Sequence, residues 1–159
     1  MTLRTFSKLN GLPVYCSSSA KLIGHISNMC VSSQGSIIGL VMEGKGFFQR
    51  DRFLPIEFID SIGENGVMIE QVENLTSVHE LKKKYSYNTY QDLIHKSVLS
   101  KEGDKLGLLE DVYFSEQMGT IEAYELTDGF FADLTEGKKV IRPSSESLII
   151  SKDAIVIEL

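Results

Sequence analysis

Few side chains in this sequence are placed to do chemistry. The three histidines, His25, His79 and His95, are scattered, and none has partners at the spacing of a metal site. The only cysteines, Cys16 and Cys30, also lack a zinc-site spacing, and we interpret them as two thiols in a reducing compartment. The sequence therefore predicts neither a bound metal nor a cofactor.

One pair of adjacent carboxylates, Glu110 and Asp111, is the best candidate for acid–base catalysis. It lies in a segment that we predict to be a strand, where neighbouring side chains point to opposite faces and would not share a substrate. Asn28, which is neither an acid nor a base, takes the place of Asp111 in a related segment. We therefore predict that this position hydrogen-bonds to backbone and that the protein is not an enzyme. Residues 44–46, Gly-Lys-Gly between two strands, predict a hairpin turn rather than a phosphate-binding loop.

The related segment belongs to an internal repeat. Residues 23–31 and 106–114 share one pattern, which reads apolar, Gly, any, apolar, any, Asn or Asp, apolar, any, apolar. In both copies the last three apolar positions are spaced by three and then by two, which departs from strand alternation at the same place. This shared departure predicts a β-bulge at Asn28 and Asp111, and a bulge bends a strand as a small barrel requires.

Short strands and turns follow in the same order in both halves. We predict an all-β protein of two tandem six-stranded barrels, with a first domain at 1–72, a linker at 73–89 and a second domain at 90–159. A helical turn opens each copy, and Thr5 is predicted to cap the first. Phe6 and Leu9 of that turn correspond to Tyr90 and Leu93 of the second.

The linker breaks the strand pattern. Residues 77–80, Ser-Val-His-Glu, match a capping box, and Val78, Leu81 and Tyr85 fall on one face of the helix that it predicts. The lysine run at 82–84 is then the solvated side of that helix.

Charge argues against nucleic acid as a partner. The net charge is -6, and residues 76–159 carry ten basic against fifteen acidic side chains. An acidic second half repels a phosphate backbone. No apolar run reaches the length of a membrane span, and no signal peptide is recognisable, so we expect a cytoplasmic protein without a membrane span.

Several short motifs resemble those of the PRC-barrel family. They are Gly11-Leu12-Pro13-Val14, Ile23-Gly24 leading to Asn28-Met29, Leu54-Pro55, and, in the second half, residues 106–112 leading to Arg142-Pro143. The resemblance covers nearly the whole chain as two copies. It implies small β-barrels used as docking modules, with no family-wide catalytic residues. We expect no equivalent of the membrane-anchoring helix of the photosynthetic reaction-centre H subunit or of the companion domain of the ribosome maturation factor, so the resemblance implies neither role.

Aromatic pairs are the best candidates for a partner-binding surface. Adjacent strand residues face opposite ways, so one member of each pair fills a barrel and the other needs a different cover. The linker or the other copy would supply that cover, or the aromatic would be an exposed anchor with two arginines at its rim. The residues concerned are Phe47, Phe48, Arg50, Arg52, Phe130 and Phe131.

These observations favour a docking or adaptor protein that binds a protein partner. A small-ligand binder or enzyme with its site in the cleft between the barrels is the alternative, and it predicts a deep pocket with converging polar groups. The closing hairpins are able to pair between two chains, so a homodimer is a further possibility.

Overall fold

The computed structural model describes residues 3–44, 50–115, 119–127, 139–143 and 148–158. Within these ranges, no helix has the length and hydrophobicity to cross a bilayer. The predicted partner residues Phe47, Phe48, Phe130 and Phe131 lie outside the described residues.

Strands dominate both halves of the chain. The first half contains β1 (Leu3–Thr5), α1 (Phe6–Leu9), β2 (Pro13–Cys16), β3 (Leu22–Val31), β4 (Ile37–Glu43), β5 (Arg52–Pro55), a 3-10 turn (Ile56–Phe58), β6 (Ile59–Ile62) and β7 (Val67–Ile69). The connecting segment contains a 3-10 turn (Val72–Asn74), β8 (Thr76–Ser77) and α2 (Val78–Lys84). The second half contains β9 (Asn88–Thr89), α3 (Tyr90–Leu93), β10 (Ser97–Ser100), β11 (Lys105–Ser115), β12 (Ile121–Thr127), β13 (Lys139–Ile141), β14 (Ile149–Ile150) and β15 (Ala154–Ile157).

The two halves have one topology. Six strands of the first half are ordered β6-β7-β2-β3-β4-β5, and the six of the second are ordered β14-β15-β10-β11-β12-β13. In each, the closing hairpin runs parallel to the first strand of its own copy, as β7 does beside β2 and β15 beside β10. The prediction of two six-stranded copies of one fold is confirmed. In the described part of the chain, no backbone pairing joins β5 to β6 or β13 to β14, so the six strands of each copy do not close into a ring of paired strands.

The predicted bulge is present in both copies. In β3, Ser27 is the extra residue, because Ile26 pairs with Met42 and Asn28 pairs with Val41. In β11 the extra residue is Glu110, which is followed by Asp111 opposite Glu125. A bulge increases the local twist and bend of its strand. The break in alternation that both copies share in the sequence therefore corresponds to a bulge at the same position of both strands.

The opening helical turns are also confirmed, with one correction. Phe6 and Leu9 of α1 are fully buried, and so is Leu93 of α3. Thr5 is the N-cap residue of α1, but its side chain makes no capping hydrogen bond. Thr89 does cap α3, and it forms a full capping box with Asp92. The capping of α1 is supplied instead by the second half.

The linker helix forms where the capping motif predicts it. Ser77 Oγ accepts a hydrogen bond from Glu80 N at 3.1 Å, and the lysines at 82–84 are exposed. The helix ends at Lys84, and Tyr85 is its C-cap residue. Tyr85 is 55% exposed, and it lines one groove with Leu81 and another with Val78.

The predicted equivalence of Arg142-Pro143 with Leu54-Pro55 is wrong by one residue. Leu54 pairs with Leu40 of β4, and the residue in the same register of the second copy is Ile141, which pairs with Tyr124. Both are buried in the core. Burial of an apolar side chain fixes the register here, and the proline that follows is only a nearby marker of the strand end.

Candidate docking surface

The first strand of each half pairs with the sheet of the other half. Strand β1 pairs antiparallel with β11, so that Thr5 lies opposite Tyr113. Strand β9 pairs antiparallel with β3, so that Thr89 lies opposite Cys30. Since β1 and β9 hold equivalent places in the repeat, the exchange is reciprocal, and the two copies form one folded unit.

The Asn28 and Asp111 positions hold this exchange together. Asp111 Oδ1 accepts hydrogen bonds from Ser7 N at 3.3 Å, from Val112 N at 2.9 Å and from the Tyr90 hydroxyl at 3.1 Å. Asn28 Oδ1 accepts from Met29 N at 3.0 Å and from Gln91 N at 3.2 Å. Each bulge residue thus satisfies its own backbone and the first turn of the other half's helix.

A shared apolar core fills the space between the copies. The Phe6 and Tyr90 rings, which are counterparts in the repeat, pack at a centroid distance of 4.2 Å. Ser36 pairs with Thr120, again its own counterpart. Residues that meet their own counterparts lie beside a local two-fold axis. The core is continuous across this axis.

A cleft with a volume of about 610 Å³ is lined by residues of both copies, among them Lys8, Glu64, Asp111 and Glu125. Asp111 is 5% exposed and engaged in the exchange. Burial, with the Asp111 carboxylate close by, raises the pKa of the Tyr90 hydroxyl, which therefore stays protonated and donates a hydrogen bond to Asp111. No three His, Cys, Asp or Glu side chains among the described residues form a metal-binding group.

The outer face of the first sheet is covered by α2. Leu81 packs against Cys30, Val41 and Phe53, and Val78 packs at the edge of the same cluster. Strand β8, directly before the helix, pairs with the edge strand β5. Burial raises the pKa of the Cys30 thiol to about 12, and Asp92 contributes to the rise. The fold therefore holds a short amphipathic helix on this face.

The same face of the second sheet has different chemistry. Three outer positions correspond through the strand register, namely Ile38, Val41 and Phe53 in the first sheet and Glu122, Glu125 and Val140 in the second. The glutamates are partly exposed, and Val140 is 47% exposed. Among the residues that the structure describes, α2 has no counterpart over this face. We call Glu122, Glu125 and Val140 the acidic face.

The two predicted arginines lie on the surface of the first half. Arg52 is the first residue of β5 and pairs with Ser77, whereas Arg50 precedes the strand. Both are exposed. The four phenylalanines cannot be compared with them, because they lie outside the described residues. Partner binding by these six residues stays a prediction.

Sequence reasoning missed the acidic face, although the signal was present. Residues 37–42 of β4 are apolar on both faces, whereas residues 121–126 of β12 carry glutamate at two outer positions. A strand that is apolar on both faces is covered on both. Aligning the two strands would have predicted a cover over the first sheet and a solvated face on the second.

The sequence matches the PRC-barrel domain family twice, over residues 1–75 and 87–159. The chain belongs to the PRC-barrel family. Its two PRC-barrel copies are also similar to the Uncharacterized protein YrrD of Bacillus subtilis (strain 168). That protein is 37% identical over 157 residues, which cover 98% of this chain and 88% of YrrD. The reciprocal exchange described above gives these two PRC-barrel copies their shared core.

Proposed function

We propose that this PRC-barrel protein is a non-enzymatic docking module that binds a protein partner in the cytoplasm. The observation that carries the proposal is the difference between the two outer faces. One copy holds a helix on its outer face, and the other presents the acidic face at the same place. The two copies share one fold and differ in the chemistry of this outer surface.

The placement of reactive groups supports a binding role. Asp111, the most buried carboxylate among the described residues, accepts three hydrogen bonds, one of which comes from Ser7 N of the other half. Cys16 and Cys30 are buried and unpaired with each other, in keeping with a reducing compartment. Asp111 and Cys30 thus contribute to the fold, which supports a binding role for the surface.

Site-specific photocrosslinking in the producing cell tests the proposal. A photoreactive phenylalanine analogue replaces Val140 in the full chain, and a control chain carries it at Asp60, an exposed residue of β6 in the first half. We expect a discrete protein adduct from the Val140 position and none from Asp60. The same adducts at both positions, or none at Val140, would count against a docking role for the acidic face.

The predicted aromatic anchors need a separate test. Phe48→Ala and Phe131→Ala variants of the full chain are compared in the same crosslinking experiment. Loss of the Val140 adduct in either variant would extend the docking surface to that phenylalanine, because truncating an anchor removes much of the binding energy. An unchanged adduct would remove the phenylalanines from the surface.

A further inference from the structure

The acidic face differs from its counterpart in charge, and this difference restricts what can cover it. Glu125 lies directly opposite Val140 in the strand register, and Glu122 lies on the same strand, β12. In the described part of the chain, neither glutamate forms an ion pair. Lys139 is the chain neighbour of Val140, and Arg4 and Lys8 line the cleft that Glu125 also lines.

The first half shows which structure fits this face. A two-residue strand pairs with the sheet edge at β5, and the helix that follows lies over β4 and β5. Val78 and Val41 line one groove beside the helix, and Leu81 and Phe53 line another. Lys84 lines the groove that also contains Ile38. The sheet residues of these grooves, Val41, Phe53 and Ile38, have counterparts on the acidic face, namely Glu125, Val140 and Glu122.

A helix in the same place on the second half would meet Glu125 at the Val78 position and Glu122 near the Lys84 position. Covering a carboxylate with an apolar side chain removes its water without replacing the lost hydrogen bonds. A cation at each position would supply charge-assisted hydrogen bonds instead. Val140 would still need an apolar residue at the Leu81 position.

Resting on the proposed function, we infer that the partner segment is a short amphipathic helix with an extended lead-in. It carries lysine or arginine opposite Glu122 and Glu125 and one apolar side chain opposite Val140. The partner is thus recognised as a basic helix of a protein, and its lead-in extends the sheet at β13.

The test uses a peptide that the fold already accommodates. A fluorescent peptide with the sequence of residues 74–87 carries Val78→Lys, which places a cation opposite Glu125 and keeps Leu81 and Lys84. The matched control peptide carries Val78→Glu. Fluorescence anisotropy with the full chain measures both affinities, and we expect the lysine peptide to bind at least about tenfold more tightly, since like charges in contact are strongly unfavourable.

Charge reversal in the protein makes the test specific. In a Glu122→Lys, Glu125→Lys variant the preference should reverse in favour of the Val78→Glu peptide. Circular dichroism of the variant checks that it is folded, and both substitutions are at partly exposed positions. Equal binding of the two peptides, or a preference that the reversal leaves unchanged, would overturn the inference.

The crosslinking experiment separates this inference from the proposed function. If the Val140 position captures a protein whose crosslinked segment is acidic or extended throughout, docking stands and the basic helix is wrong. If the captured chain is a second copy of this protein, the inference of a different partner protein is wrong. A captured basic helical segment supports both.

Discussion

At the scale of single residues, Asp111 and Asn28 perform one structural role with different charge. Both place Oδ1 where it accepts from the next backbone N–H and from the first turn of the other half's helix. An amide oxygen serves the role in one copy, so a negative charge is not needed for it. Acceptor geometry is the property that the site requires.

Substitution of Asp111 should therefore depend on whether Oδ1 is kept. Asp111→Ala leaves buried donors without an acceptor, and we expect it to lower the free energy of unfolding by about 2 to 3 kcal/mol. Asp111→Asn, which reproduces the arrangement of Asn28, should cost less than about 1 kcal/mol. Urea denaturation of both variants measures the difference. Equal losses would mean that the charge of Asp111, rather than its geometry, stabilises the exchange.

Tyr124 should respond in the opposite direction. Its hydroxyl is buried and has no hydrogen-bond partner in the described structure. Because an unsatisfied buried polar atom opposes folding, Tyr124→Phe should raise the free energy of unfolding by about 1 kcal/mol. Tyr90→Phe is the matched control and should lower stability, since the Tyr90 hydroxyl donates to Asp111. A destabilised Tyr124→Phe protein would show that this hydroxyl is satisfied in solution.

At the scale of elements, α2 acts as a cover for the outer face of the first sheet. Cys30 is fully buried beneath it, and burial holds the pKa of the thiol at about 12. Thiolate is the reactive form, so this thiol should be inert while the helix is in place.

Alkylation of Cys30 therefore reports on the position of α2. In a Cys16→Ser background, iodoacetamide should not modify Cys30 at neutral pH until the protein unfolds. Leu81→Ala, which removes the central apolar contact of the helix, should increase the rate of modification. Lys83→Ala on the exposed side is the control and should not change it, because its ion pair with Glu80 is solvent-exposed. Rapid modification in the parent would show that α2 does not cover the sheet.

The elements themselves were largely predictable from the sequence. The bulges followed from a shared break in alternation, and the linker helix followed from its capping motif. The reciprocal exchange was not predictable, because strand patterns show that a segment pairs and not which copy it pairs with. The acidic face required the register of β12 against β13, which burial of Ile141 sets one residue away from the proline motif.

At the scale of the whole molecule, the shared core predicts that the halves unfold together. Phe6→Ala removes a first-half side chain that packs on Tyr90 of the second half, and we expect a loss of about 3 to 5 kcal/mol. Hydrogen exchange should show reduced protection in β3 and in β11 alike. Phe58→Ala, at a residue that is 39% exposed, is the control. Loss of protection in the first half alone would show that the copies fold independently.

Alkaline pH should destabilise the molecule. Burial raises the pKa values of Tyr87, Tyr90, Tyr124 and Cys30. Folding therefore favours their protonated forms, and the stability they contribute is complete below the unfolded pKa values of about 8.5 to 10 and is lost above them. Urea midpoints should fall as the pH rises beyond about 9. The decline should be shallower in Tyr124→Phe, and a constant midpoint would contradict the burial of these groups.

The reciprocal exchange of β1 and β9 also bears on how many partner molecules one chain binds. A symmetric pair of separate, identical copies would have to show the same surface twice, whereas covalent fusion lets the two surfaces differ. With one surface occupied internally by α2, titration of the chain with its partner should saturate at a single equivalent. One partner per chain is therefore the stoichiometry that follows from two fused copies with different outer surfaces.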